Sequence, residues 1–180
     1  MRQSIATHLL DFFSIAALVL LGLMAGFFFA FAVDVAPAMT HLDAAGYITT
    51  QQWINRVVRN ATFGAVYFGA AILPFVVALL AALAERKRSA IIWLLIALVY
   101  FSLVFWLTRS VNVPINNALA LWNPATPPAD WMQARDTWNQ SNATRAWAAL
   151  ACFTAGLLAL QARDSYNPSS PINSRAAVAK

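Results

Sequence analysis

Four long apolar stretches alternate with short, unevenly placed polar segments, at roughly residues 9–31, 62–84, 90–107 and 146–162. Each is about the 17 to 25 residues that a helix needs to cross the hydrocarbon core of a bilayer. The pattern predicts an all-α fold: a four-transmembrane-helix bundle with short extracytoplasmic helical segments. It forms one membrane domain over residues 1–163. The Ser-, Pro- and Asn-rich residues 164–180 read as a disordered cytoplasmic tail.

The polar positions refine this picture. The shortest connection, Glu85-Arg86-Lys87-Arg88-Ser89, carries three positive charges, which places it and both termini on the cytoplasmic side. The longer connections, about residues 33–60 and 108–138, then face outward. The first apolar run is longer than the roughly 7–15-residue core of a signal peptide and reads as a retained helix. Gly22 and Gly26 form a small-xxx-small pattern suited to close helix packing within the chain, with a homo-oligomer as the alternative. Pro37 is expected to end the first helix. Gln51 to Asn60 is expected to be helical and to run directly into the second. Pro74 is a candidate kink, and Pro114 disfavours helix at Val113. Residues 131–143 read as a helix feeding the fourth span.

Composition agrees: 61% of residues are hydrophobic and 11% charged, against the roughly 25% charged of soluble domains. The net charge of +5 comes from residues at membrane boundaries, so it speaks for topology and a lipid bilayer partner and not for nucleic acid. Cys152 is the single cysteine, so no internal disulfide can form.

Candidate chemistry sits at the outer helix ends. Three segments carry polar side chains at helical spacing: Gln52, Asn55 and Arg59; Arg109, Asn112 and Asn116; Trp138, Asn142 and Arg145. Polar groups near hydrocarbon are costly unless paired, so the cluster is a candidate binding site. The planar fork of an arginine suits a phenolate or carboxylate, and the amides can orient a carbonyl. The alternative is a structural network, with the arginines snorkelling to headgroups or pairing with Asp34 and Asp43. His41 and Asp34 are the candidate general bases. His8 lies at the other end, about 30 Å of hydrocarbon away. There is no His-x-x-x-His, Glu-x-x-His or Cys-x-x-Cys spacing, so no protein-held metal is expected. No ionisable residue falls in the middle of a stretch, which disfavours a proton-coupled transporter. Asn60-Ala61-Thr62 and Asn142-Ala143-Thr144 match the glycosylation pattern incidentally.

Several segments carry a family resemblance: the Phe-rich run from Gly26 to Phe31, Pro37-Ala38-Met39, Gln52-Trp53-Ile54-Asn55, the segment from Asn112 to Leu119, and Trp138 with Asn142 and Arg145. Over about residues 9–162 the chain resembles the anthrone oxygenase-like family of small four-helix membrane proteins. Characterised members are fungal polyketide enzymes, and many bacterial relatives have no assigned substrate. The resemblance implies oxidation of an anthrone to an anthraquinone by molecular oxygen, without bound metal or flavin. It also carries over Asn55, Asn112, Asn116, Asn142 and Arg145 as substrate-binding positions. The expected function is a membrane-bound, cofactor-independent oxygenase for an anthrone-like or phenolic substrate, a small apolar aromatic ligand. The expected location is a bacterial inner membrane. The alternative is a non-enzymatic small-molecule-binding or scaffold membrane protein.

Overall fold

The structure is a computed structural model and describes residues 2–164; the expected tail lies outside these residues, apart from its first residue. Helix α1 (Arg2–Ala30) continues without a break through a π-helical turn (Phe31–Val35) into α2 (Ala36–Met39). Then follow α3 (Ala44–Val58) and α4 (Ala61–Leu83). Helix α5 (Lys87–Tyr100) runs through π-helical turns at Phe101–Trp106 and Thr108–Asn112 into α6 (Val113–Leu119). The chain closes with α7 (Trp131–Asp164). Helix α1 packs against α4 and α7, and α5 packs against the same two, so the four long helices form a closed ring.

All four are long and apolar enough to cross a membrane: Thr7–Met39, Ala61–Leu83, Lys87–Leu119 and Trp131–Gln161. Their outward faces agree. On α1, Phe12, Ile15, Val19 and Leu23 are exposed at three- and four-residue spacing, as are Ile91, Leu94, Leu95 and Leu98 on α5. Water would not tolerate so continuous an apolar surface, and lipid does. The chain is an integral membrane protein. Inside the ring, Leu21, Met24, Ala70, Trp93, Tyr100 and Ala149 close the main core.

The helices are longer than the apolar stretches suggest. Pro37 does not end the first, and Pro114 does not interrupt the third. A proline lacks its N–H and crowds the carbonyl four residues back. Those carbonyls belong to Val33 and Ser110, and each lies within a π-helical turn. The wider turns absorb the misfit and let the helices continue. Pro74 is buried inside α4. By contrast, α3 and α4 are not the single helix expected. Arg59 leaves the helical region (φ −78°, ψ 60°), and Asn60 restarts the chain by accepting the Phe63 N–H at 2.9 Å. Asp43 caps α3 in the same way, through the Gly46 N–H at 2.8 Å. Of the two α1 glycines, Gly22 faces the Phe153 ring of α7, whereas Gly26 has no such neighbour. Gly156 of α7 is the tighter contact: a Cβ there would lie 2.6 Å from Leu18 Cδ2.

The α4–α5 turn has a Schellman geometry. Arg86 N–H donates to the Ala81 carbonyl (2.9 Å) and Glu85 N–H to the Ala82 carbonyl (3.0 Å), with Glu85 at φ 59°. A side chain in this left-handed position costs about 1 kcal/mol. Glu85→Gly is expected to stabilise the protein by about that amount. Reversible unfolding in mixed detergent micelles checks this, and an unchanged midpoint would count against it.

Candidate functional site

Two hydrophobic cores stack along the bundle. Beyond the main core, Phe31, Met39, Tyr47, Ile48, Leu119 and Trp138 form a second one, where α2, α3, α6 and the start of α7 meet. The amide of Gln52 locks this cap by donating to the carbonyls of Leu119 (3.0 Å) and Trp122 (2.9 Å). Tyr47 packs on the Trp131 ring, and Arg135 lies over that ring while paired with Asp136. Burial pushes the Tyr47 phenol up to about 12, with Arg135 pulling it down and Asp136 pushing it up by less.

Between the cores lies a layer of buried polar side chains: Asn55, Asn112, Ser141, Asn142 and Arg145. Ser141 bonds to Asn112, and Asn55, Asn112, Asn142 and Arg145 line a cavity of about 290 Å³. Helix α1 and its π-helical turn give it Phe27, Phe28 and Phe31, and α4 gives Phe63 and Tyr67. Asn55 comes from α3, Arg59 from the break after it, and Thr108, Asn112 and Asn116 from the third π-helical turn and α6. Trp138, Asn142 and Arg145 line one face of α7 at i, i+4 and i+7. Two of the three π-helical turns thus lend side chains to the wall.

Most of the asparagines are engaged within the protein. Asn112 donates to the Trp138 carbonyl (3.3 Å) and accepts from the Ser141 hydroxyl (2.7 Å). Asn116 accepts from the Trp138 indole N–H (2.8 Å). Asn142 accepts from Arg145 (2.9 Å) and donates to the Phe28 carbonyl at 3.5 Å. These bonds tie α1, α6 and α7 into a fixed frame around the cavity.

Arg145 is different. It is 4% exposed, and among the described residues no carboxylate pairs with it. One terminal nitrogen donates to the Thr108 hydroxyl (3.0 Å) and the other to Asn142. Its carbon stands 4.7 Å from the Phe28 ring centre and 5.4 Å from that of Trp138. Its Nε–H has no partner, and neither has the Nδ2 of Asn55. Hydroxyl, amide and ring faces solvate the cation but do not neutralise it, and a buried charge is ordinarily paired. The wall holds no Asp, Glu or His.

Seven candidates from the sequence therefore line the cavity: Asn55, Arg59, Asn112, Asn116, Trp138, Asn142 and Arg145. Four do not. Gln52 bonds the Leu119 and Trp122 carbonyls instead. Arg109 is exposed, because Thr108 and Asn112 hold the inward face one turn apart and Arg109 falls beside it. Asp34 is exposed in the same π-helical turn that gives Phe31 to the wall, and His41 is exposed in the loop after α2. Neither candidate base lines the cavity. Tyr67, Thr108 and Ser141 escaped sequence reasoning. Thr108 had a signal, standing four residues before Asn112. Tyr67 and Ser141 had none beyond their polarity. Among the described residues, no three His, Cys, Asp or Glu side chains converge. A broader depression beside the start of α7, lined by Asp130, Gln133 and Asp136 among others, lies open on the surface.

Residues 59–155, more than half of the chain, match the anthrone oxygenase family. The chain belongs to that family. No curated protein and no solved structure matches it. The family match spans the wall residues of α4, the Thr108–Asn112 turn, α6 and α7, Arg145 included. Phe28 and Asn55 come from helices outside the match, so the anthrone oxygenase segment is closed by α1 and α3.

Proposed function

We propose that this protein is an anthrone oxygenase-like enzyme that binds a flat aromatic ketone or phenol as its oxyanion and passes it to molecular oxygen. The observation that carries this reading is the buried Arg145, which lines an aromatic cavity with its Nε–H unpartnered and, among the described residues, no carboxylate beside it. A cation held there without a counter-ion favours any ligand that brings a negative oxygen.

The chemistry follows from the substrate. An anthrone has a CH₂ between two aromatic rings, opposite a ketone. Loss of one proton gives an enolate with its charge on the ketone oxygen. Arg145 supplies the cation for that oxygen, and the unpartnered, buried Arg145 Nε–H and Asn55 Nδ2–H of the wall are the donors that a small side-chain movement would turn toward it. The aromatic wall holds the ring system. The enolate carbon gives electrons to oxygen, a C–O bond forms, and the resulting hydroperoxide loses water to leave a second ketone. The sum is R₂CH₂ + O₂ → R₂C=O + H₂O. The wall has no carboxylate or imidazole to act as base. Stabilising the enolate makes the substrate acidic enough to lose its proton to water, and His41 and Asp34 have no part in the step.

Oxygen consumption by the detergent-purified protein tests the assignment. With an anthrone present, uptake is expected to exceed that in buffer with detergent and to match quinone formation one to one. Uptake no faster than the detergent blank would reject it for that substrate. The same result with retained ligand binding would favour a non-catalytic binding protein, the second use to which this cavity is suited.

A further inference from the structure

The cavity wall carries a second guanidinium, and its place in the fold is fixed. Arg59 lies at the break between α3 and α4, exposed to the outside while lining the same cavity as the buried Arg145. Its nearest side-chain bond is a long one, 3.5 Å from a terminal nitrogen to Asn117 Oδ1. Among the described residues no carboxylate pairs with it. The first turn of α4 begins two residues later, adding the positive end of a 23-residue helix to the same rim. The space therefore has one cation deep inside, another at the mouth, an aromatic surface between them and no negative group on its wall.

A ligand with a single oxyanion satisfies only the inner cation. We infer that the preferred substrate is an aromatic acid, with its ring oxyanion at Arg145 and a carboxylate on the opposite part of the ring system at Arg59. Arg59 is then the residue that sets specificity for the acidic substituent. It selects the ligand's orientation, because only one end of the molecule fits each cation. This rests on the oxyanion reading of Arg145 given above and adds the second charge. The Asn117 bond is weak enough to be exchanged for a charge-assisted pair with the incoming carboxylate.

Two ring-matched probes test the inference: 1,8-dihydroxyanthraquinone and its 3-carboxylate. Binding to the full chain in uncharged detergent at neutral pH can be followed by tryptophan quenching, since Trp138 is part of the wall. The carboxylate is expected to bind at least about threefold tighter, the scale of a solvent-exposed ion pair. In Arg59→Gln the ratio of the two dissociation constants is expected to fall to about one, and Arg59→Lys is expected to restore part of it. Equal affinities in the parent protein would overturn the inference. So would an Arg59→Gln variant that weakens both probes alike, which would mark the residue as structural. A preference that disappears when phosphatidylglycerol is added would assign Arg59 to a lipid phosphate and also overturn it. If the uncharged probe binds and Arg145→Met weakens it, the oxyanion reading stands whatever Arg59 does. If neither probe binds, that reading falls first.

Discussion

Replacing Arg145 by methionine is expected to lower oxygen uptake about 100- to 1000-fold while leaving the fold intact. That is the size of effect seen when one preorganised donor is removed from a developing oxyanion. The structural cost is small because two changes oppose each other. The variant frees Asn142 Oδ1 and the Thr108 hydroxyl from their bonds to the guanidinium. It also removes a buried cation that no carboxylate among the described residues neutralises, and exchanging buried charges for apolar side chains of similar volume is often neutral or stabilising. Net stability is expected to stay within about 2 kcal/mol of the parent. Arg145→Lys keeps a charge but loses the planar fork, and should recover part of the activity. Oxygen electrode traces paired with unfolding curves on the same preparations check both halves. Activity within about threefold of the parent would remove Arg145 from the chemistry.

Trp138→Ala is expected to be the most destabilising change near the cavity. The indole N–H donates to Asn116, the ring lies 5.0 Å from that of Phe31, and Arg145 rests on its face. The backbone carbonyl of the same residue holds Asn112. Truncating a buried tryptophan costs about 3–5 kcal/mol. Here it also leaves Asn116 Oδ1 without its donor. Trp138→Phe keeps most of the volume and loses chiefly the hydrogen bond, so about 1 kcal/mol is expected. Unfolding free energies for the two variants should differ by about 2–4 kcal/mol. A Trp138→Ala protein as stable as the parent would mean that the cap does not hold the cavity together.

The sequence carried the architecture well because a bilayer imposes length and composition on its helices. Four apolar stretches became four long helices, and the polar residues at three- and four-residue spacing met in space. Asn112 with Asn116, and Trp138 with Asn142 and Arg145, were readable for that reason: each set lies on one helical face. What could not be read was phase. Arg109 sits between Thr108 and Asn112 in the same polar segment, yet one residue of rotation takes it out of the cavity. Pro37 and Pro114 suggest helix ends, because a proline's misfit is local and the π-helical turns that absorb it have no sequence signature of their own. The capping role of Asn60 likewise depends on the chain leaving α3 at Arg59. Asp34 and His41 stand close in sequence to the end of the first apolar stretch, but which side of a helix faces a cavity is set by the neighbours packed on it. The most informative property of Arg145, a buried charge with no carboxylate beside it, belongs to no residue alone.

The central claim is that this cation holds an aromatic oxyanion, and an optical titration of a bound phenol tests it most directly. A hydroxyanthraquinone whose colour reports ionisation can be titrated in detergent alone, with the protein, and with Arg145→Met. An unpaired cation favours the charged form, so the bound phenol is expected to ionise about one pH unit or more below its value in detergent, with the shift lost in the variant. A bound phenol that ionises at or above its detergent value would show that burial outweighs the cation, and would contradict the account.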